Sequence, residues 1–149
     1  MMRFMFGIGL LVVLLPSLMA QPHRVTSPGS KLSITIGTNE RLTYSIALEG
    51  EEVIKPSTIS LVLESGLILG AHPKVNHKDQ RDVDEILTPE VSEKRNTIHD
   101  VYSELSLSFE GGWGLDVRAY DDGAAYRFRT DLTEGITIGE EQFEAVFTG

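Results

Sequence analysis

Between Leu115 and Arg129 the chain reads LDVRAYDDGAAYRFR, two alternating segments joined by Asp121-Asp122-Gly123. Every second side chain is apolar and charged side chains fill the positions between: Leu115, Val117, Ala119, Tyr126 and Phe128 against Asp116, Arg118, Arg127 and Arg129. A period of two with charges on one side predicts a half-buried antiparallel hairpin. Asp-Gly between two such segments is typical of a tight turn, in which Gly123 would take a positive φ. From the pattern alone this is an ordinary hairpin with surface arginines.

The same alternation recurs on both sides of this hairpin. It is readable in five further segments, at residues 32–36, 42–48, 58–63, 98–110 and 136–147. Pro56 interrupts the approach to the third of these segments, so we expect it at a strand end or a sheet edge. No segment after residue 20 has a sustained helical period, and glycine-rich or polar turns separate the strands. About eight short strands predict an all-β fold, an antiparallel β-sandwich.

The middle of the chain has a different composition. Ala71–Asn96 is polar, contains two prolines and has little periodic apolar content, so it is predicted to be a long connection with at most a short strand near Ile86 or Val91. Imidazoles and carboxylates gather there: His72, His77, Asp79, Asp82, Asp84 and Glu85. Such side chains are able to bind a metal, but their spacing matches no ligand motif. A solvated loop is the simpler interpretation, and no metal site is assigned.

The first twenty residues predict export. Arg3 precedes the uncharged apolar segment from Phe4 to Leu15, and small residues end at Ala20 before the polar Gln21. This is the layout of a signal peptide cleaved after Ala20, and the apolar segment is shorter than the ~20 residues that cross a bilayer. A retained N-terminal anchor is the alternative. We therefore expect a signal peptide over 1–20, a domain over 21–149, no membrane anchor after cleavage, and a periplasmic or extracellular location.

Composition narrows the classes of partner. The 149 residues carry a net charge of -9, which disfavours binding to a phosphate backbone, so nucleic acid is not an expected partner. There is no cysteine, so no disulfide supports the exported domain.

Few residues are candidates for chemistry. Trp113, among glycines 111, 112 and 114, is either a stacking platform for a sugar ring or a core residue. Glu51-Glu52 and Glu140-Glu141 are adjacent pairs, and neighbours on a strand point to opposite faces, so neither pair works as an acid/base couple. No catalytic residue is assigned.

Several blocks, in order, resemble the N-terminal domain of glycoside hydrolase family 97, secreted bacterial α-glucosidases and α-galactosidases. The matching blocks are Ser27-Pro28-Gly29-Ser30-Lys31, Leu42-Thr43-Tyr44-Ser45-Ile46, Val53-Ile54-Lys55-Pro56-Ser57, Asn96 to Leu105 with its Tyr102-x-Glu104-Leu105, and Arg118-x-Tyr120-Asp121-Asp122-Gly123-x-Ala125-Tyr126-Arg127-Phe128. The likeness spans the mature chain. One departure is that residues 71–96 lack the tryptophan-containing segment usual in the family, so no glycan contact is assigned to that loop.

The resemblance implies a large β-sandwich, longer than this chain, packed against a C-terminal (β/α)8 barrel of the same polypeptide. That barrel carries the catalytic carboxylates and most ligands of a calcium ion near an oligosaccharide substrate. The family's N-terminal domain adds one Glu to the calcium site from a segment beyond the Asp-Asp-Gly hairpin. Glu140 and Glu141 are the late candidates here, and neither is assigned.

Together with the signal peptide, the resemblance implies a fragment: the leading, non-catalytic part of an α-glucosidase-like enzyme, which would support the barrel and wall the sugar pocket. Alone it would not hydrolyse a glycoside, which needs two carboxyls across the scissile bond. A self-standing carbohydrate-binding module and a structural surface domain without a ligand are the alternatives.

Overall fold

The computed structural model describes residues 21–88, 97–133 and 135–149, and this part of the chain is built from antiparallel strands. The strands are β1 (His23–Thr26), β2 (Leu32–Thr38), β3 (Leu42–Leu48), β4 (Glu51–Leu63), β5 (Ile68–Leu69), β6 (Val75–Leu87), β7 (Ile98–Phe109), β8 (Trp113–Ala119), β9 (Ala124–Thr130), β10 (Ile138–Phe143) and β11 (Val146–Phe147). Among these residues we find no helix with the length and apolarity to cross a bilayer. The predicted signal peptide and its cleavage site after Ala20 lie outside the described residues.

Two sheets face each other. The first has the order β1-β2-β3-β4-β10, with β5 and β11 also paired to β4, and the second has the order β6-β7-β8-β9. Neighbours in sequence are neighbours in each sheet except where β10 and β11 return to β4. The all-β antiparallel fold predicted from the sequence is confirmed.

One hydrophobic core lies between the sheets. Its fully buried members come from both layers, among them Ile34, Ile36 and Ile59 from the first sheet and Leu107 and Leu115 from the second. These are the inward positions of the alternating segments. At ~25 cal/mol per Å² of buried apolar surface, this shared core is the main stabilising contribution in a chain without disulfides.

The hairpin of residues 115–129 forms with the predicted faces. β8 pairs with β9 so that Val117 lies opposite Tyr126 on the core side and Asp116 opposite Arg127 on the outer side. The expected turn is wrong in one respect: Gly123 does not have a positive φ. Ala119 pairs with Ala124, which leaves a four-residue loop closed by Tyr120 N donating to Gly123 O over 2.8 Å. A loop of this length does not need the left-handed residues of a two-residue turn.

The interpretation of residues 71–96 as a long loop is wrong for half of that segment. Residues Val75–Leu87 form β6, one of the two longest strands, paired with β7 from Val75↔Phe109 to Leu87↔Ile98. β6 is an edge strand whose side chains are exposed on both faces, so it carries no apolar alternation for the sequence to display. Charged side chains along an edge also protect it from pairing with another chain. The alternative strand near Val91 lies outside the described residues.

Pro56 is inside a strand, and not at an end or an edge. β4 runs through it between β3 and β11, and the β3–β4 register shifts between Tyr44 and Ile46, opposite the proline. A bulge is the other place where a strand accepts a residue without an N–H. Ser57, fully buried beside it, donates from Oγ to Lys55 O over 2.8 Å and accepts from Val146 N over 2.9 Å.

The strand count exceeds the predicted eight because several strands are short. β1, β5 and β11 have four, two and two residues. The segment 136–147 divides into β10 and β11 because the residue-by-residue pairing with β4 ends at Phe143 and resumes at Val146.

Candidate functional site

The outer face of the second sheet carries an ordered layer of ion pairs, here called the arginine face: Arg81, Glu104, Asp116, Arg118, Arg127 and Arg129. Asp116 is its first centre. Arg127 Nε donates to Asp116 Oδ2 over 2.8 Å, and Arg129 Nε donates to Oδ1 over 2.7 Å. Ser106 Oγ adds a third bond to Oδ1 at 2.8 Å. A carboxylate on the solvent side of a strand is thereby left only 4% exposed.

Glu104 is the second centre. Arg81 donates to its Oε1 from Nε over 2.9 Å, and Arg118 donates from Nε to Oε2 over 2.7 Å. The Arg118 guanidinium also lies 4.2 Å from the centre of the Tyr102 ring, within the range of a cation–π contact. The fold brings onto one face four residues from two of the sequence blocks quoted above: Tyr102, Glu104, Arg118 and Arg127.

Both carboxylates are held ionised. Burial alone would raise the pKa of Asp116, but hydrogen bonds from Arg127, Ser106 and Arg129 outweigh it and the net pKa lies below the ordinary value. Glu104 behaves in the same way: burial opposes ionisation, and the hydrogen bonds from Arg118 and Arg81 lower its pKa. A general acid for glycoside hydrolysis needs the opposite shift, a raised pKa, so these two buried carboxyls are placed for ion pairing.

A second feature is the open seam, the gap between the edges of β9 and β10 where the two sheets are not joined by backbone bonds. Three stacked rings bridge it: Phe143 lies 5.8 Å from Tyr44 and 6.2 Å from Tyr126, centroid to centroid. Tyr126 OH donates to Glu141 Oε1 over 3.0 Å. Burial, together with that carboxylate, raises the pKa of Tyr126 to about 12, so the phenol stays protonated.

Behind these rings is an apolar cavity of about 450 Å³ that opens to the surface. Its walls are mostly aliphatic side chains of the two sheets, including Ile36, Ile46 and Val117. Phe143, which lines this cavity, is 59% exposed, and Phe147 on the neighbouring β11 is 69% exposed. Exposed apolar side chains gathered at one edge are typical of a surface that contacts other protein.

Trp113 is placed in the core. It is 7% exposed, its ring lies 4.0 Å from that of Phe109 in a stacked arrangement, and Phe128 covers another side at 6.2 Å. The interpretation as a core residue fits this position. A contact between Trp113 and a sugar stays a prediction, and this burial does not favour it.

The imidazoles and carboxylates of residues 72–85 are spread along the loop before β6 and along β6 itself. In the described ranges no three His, Cys, Asp or Glu side chains converge on one point. Asp82 and Asp84 are engaged with β7, accepting from Ser103 Oγ and contacting His99 Nε2, both at 2.6 Å.

Calcium takes six to eight oxygen ligands, so a site built on the late carboxylates Glu140 and Glu141 would need both side chains and further oxygens to converge. Glu141 faces the seam and accepts from Tyr126, whereas Glu140, one position away on β10, contacts Gln142 at 3.5 Å. The two side chains do not converge, and no third ligand joins either within the described residues. The described residues therefore do not form a calcium site by themselves.

Sequence reasoning found the outward charges of the hairpin but missed the layer they form. Arg118 and Arg127 were visible as alternating charges, whereas their carboxylate partners depend on strand register, which aligns Glu104 with Arg118 and with Arg81. The seam was not foreseeable, because Phe143 and Tyr126 meet only when the two sheets stack. One sequence signal for the layer of ion pairs was present: the Tyr102-x-Glu104 alternation places a carboxylate on the face opposite the core.

Comparisons with known proteins agree with this architecture. The sequence profile described as glycosyl-hydrolase 97 N-terminal matches residues 25–149. A retaining alpha-galactosidase of Bacteroides thetaiotaomicron is 36% identical over 131 residues, which cover 87% of this chain and 19% of that enzyme. The chain therefore spans about a fifth of the length of this relative.

Solved structures of larger proteins contain a region with a similar fold. A glycoside hydrolase family 97 enzyme from Pseudoalteromonas sp. strain K8, in complex with acarbose, superposes with a TM-score of 0.72 at 21% identity, over 84% of this chain and 20% of that one. A beta-arabinopyranosidase superposes with a TM-score of 0.75 at 21% identity, over 86% of this chain and 22% of that one. Because the profile covers residues 25–149 and a curated relative aligns over most of the chain, this protein belongs to the glycosyl-hydrolase 97 N-terminal family.

Proposed function

We propose that the chain is the non-catalytic N-terminal sandwich of an α-glycosidase, and that it supports a catalytic (β/α)8 barrel supplied by the same parent polypeptide. The observation that carries the proposal is the share of its relatives that it matches: a two-layer sandwich that aligns with about a fifth of family 97 enzymes. The remaining four fifths of such an enzyme leaves ample length for a catalytic domain.

The surface chemistry of the chain fits a supporting role. Its buried carboxyls are neutralised by arginines, and its apolar rim at the open seam offers a surface for packing. The sugar is less narrowly defined, since the relatives bear names for different sugars: an alpha-galactosidase and a beta-arabinopyranosidase. We propose an oligosaccharide substrate of the α-glucoside or α-galactoside class, bound by the parent enzyme with calcium from ligands outside the described residues.

The test is the glycosidase activity of the protein encoded by the longer gene. Reading the coding sequence beyond the Gly149 codon and expressing the whole frame is expected to give a protein that cleaves 4-nitrophenyl α-glycosides, while residues 1–149 alone give none. An in-frame stop directly after Gly149 would contradict the proposal. So would hydrolysis by the short chain, because it would place the catalytic carboxyls within it.

We also propose export with cleavage after Ala20. His23 begins β1, so a mature chain starting at Gln21 keeps every described strand. Amino-terminal sequencing of the protein recovered from the periplasm or medium of an expressing bacterium is expected to begin at Gln21. A product that still begins at Met1 and sediments with membranes would favour the retained anchor instead.

A further inference from the structure

Two loops that belong to different sheets meet at one end of the sandwich. Residues 27–31 connect β1 to β2 in the first sheet, and residues 120–123 connect β8 to β9 in the second. Asp121 joins the two loops, because the Gly29 N–H donates to Asp121 Oδ1 over 2.8 Å, across 92 positions of sequence. The pKa of Asp121 lies below its ordinary value because the Ser27 side chain and the Gly29 amide donate hydrogen bonds to the carboxylate. Asp121 is therefore an anion at neutral pH.

The two loops approach more closely than a side chain at position 29 would allow. A Cβ added to Gly29 would lie 2.7 Å from Asp121 Cγ, well inside an ordinary contact, and its nearest neighbours are all atoms of that carboxylate. Gly29 does not have a positive φ, so alanine is able to adopt its backbone conformation. The absence of a side chain at position 29 therefore serves the contact with Asp121, and not the shape of the turn.

The turn that Asp121 contacts includes a less favourable backbone conformation. Ser27 O accepts from Ser30 N over 2.8 Å, and Ser27 Oγ accepts from Leu32 N over 3.1 Å. Ser30 has a φ of 59°, a left-handed value that is uncommon for a residue other than glycine. Such a conformation persists where the surrounding structure fixes it, and the Asp121 carboxylate fixes the residue next to it.

β1 depends on this turn for its attachment. It has four residues, lies at the edge of the first sheet and pairs with β2 alone within the described ranges. Val25 nevertheless belongs to the core, with 1% of its surface exposed. Terminal segments of this kind open easily unless they are tied down, and the chain has no cysteine with which to do so.

We propose that Asp121 is a latch between the two sheets: its carboxylate holds the β1–β2 turn against the β8–β9 loop, so that the opening of either loop is coupled to the opening of the other. The coupling is reciprocal, since a contact that stabilises one loop when the other is closed stabilises both by the same free energy. Asp121 acts through the turn that it holds, so it is a positioning residue.

Amide hydrogen exchange of the full chain, followed residue by residue by NMR at neutral pH, tests the latch. Asp121→Ala changes the second sheet and is expected to speed exchange at Gly29 and Ser30, in the first sheet's loop, by about fivefold or more, the lower end of coupling between sites. Asp122→Ala is the matched control, because it removes the neighbouring exposed carboxylate of the same loop. Equal acceleration by the two variants would overturn the proposal, since any loss of charge from the loop would then be sufficient.

The reverse experiment changes the first sheet. Gly29→Ala keeps every charge and displaces the carboxylate, and it is expected to speed exchange at Tyr120, whose N–H closes the β8–β9 loop on Gly123 O. Gly135→Ala, at a glycine with open space around its Cβ, is expected to leave that rate unchanged. In the Asp121→Ala background Gly29→Ala should cause no further acceleration, and additive effects would contradict a shared contact. Unchanged exchange at Tyr120 in Gly29→Ala would overturn the proposal, even if Asp121→Ala failed to fold.

Discussion

Asp116 and Glu104 lie on the solvent side of their sheet and are nevertheless each 4% exposed. The cause is the length of the arginine side chains, whose aliphatic stems lie over the strands while the guanidinium groups cover the carboxylates. Burying a carboxylate costs several kcal/mol unless it is paired and hydrogen-bonded, and here every carboxylate oxygen has a donor. Each pair is therefore costly to break.

Removing the charge of Asp116 should destabilise the fold. Asp116→Asn leaves Arg127 and Arg129 without an anion, and we expect a loss of about 2 kcal/mol in the free energy of unfolding, less than the ~3–5 kcal/mol of a fully buried pair because both arginines reach solvent. Urea unfolding measures this. The control is Glu110→Gln, whose contact with Lys74 is 3.6 Å long and exposed on both sides, and we expect it to cost under about 0.5 kcal/mol. Equal losses of unfolding free energy in the two variants would contradict a larger stabilising contribution from Asp116 than from an exposed ion pair.

The same carboxylates predict sensitivity to acid. The folded pKa of both groups lies below the ordinary values of 4.5 for Glu104 and 3.8 for Asp116. Their stabilising contribution is therefore complete above about pH 4.5 and is lost as the pH falls through the lower folded values. We expect the urea midpoint to decrease between pH 5 and pH 2.5. Asp121 and Glu144 also have lowered pKa values and contribute to this decrease, so the comparison that isolates the arginine face is Glu104→Gln, which should show a shallower decrease. An unchanged slope would contradict the assignment.

At the scale of strands, the sequence predicted those elements whose two faces meet different environments. β8 alternates between core and outer side chains, so its period of two was readable. β6 has solvent on both faces, and nothing in its composition distinguishes it from a polar loop; only its pairing with β7 defines it. The position of Pro56 was predicted wrongly for a related reason. A bulge that accepts a proline depends on the register of the neighbouring strand and on Ser57.

Ser57 links that bulge to the last strand. Ser57→Ala removes the acceptor of Val146 N; Ser57 is fully buried but Val146 is 39% exposed, so we expect a cost near that of one ordinary hydrogen bond, about 1 kcal/mol. We expect global stability to decrease by that order, with faster amide hydrogen exchange at Val146 and Phe147 because β11 loses its attachment to β4. The matched control is Ser65→Ala in the exposed turn after β4, which should change neither quantity. Equal exchange at Val146 in the two variants would show that the hydroxyl does not hold β11.

At the scale of the molecule, the two sheets differ in how they meet solvent. The second sheet covers its outer face with ion pairs, whereas the first ends at β10 and β11 with apolar side chains at the open seam. The chain matches about a fifth of the length of a curated relative. Under the function proposed here, this asymmetry would leave the seam as the surface on which the rest of the parent polypeptide packs. The sequence could predict the layers, but not which edge stays uncovered, because that depends on how the sheets stack.

The uncovered edge predicts self-association of the isolated chain. Ile138 is 54% exposed and Phe147 is 69% exposed on strands whose outer edges are unpaired within the described residues, and such edges pair readily with other chains. In about 150 mM salt, where repulsion between acidic chains is screened within ~8 Å, we expect reversible association at concentrations on the order of 100 µM. Analytical ultracentrifugation measures it. Ile138→Lys with Phe147→Lys should restore the monomer, whereas Ile86→Lys, at an equally exposed apolar position on β6, should not. Loss of association in Ile86→Lys alone would place the contact at β6, and the seam would then not be the surface on which the isolated chain associates.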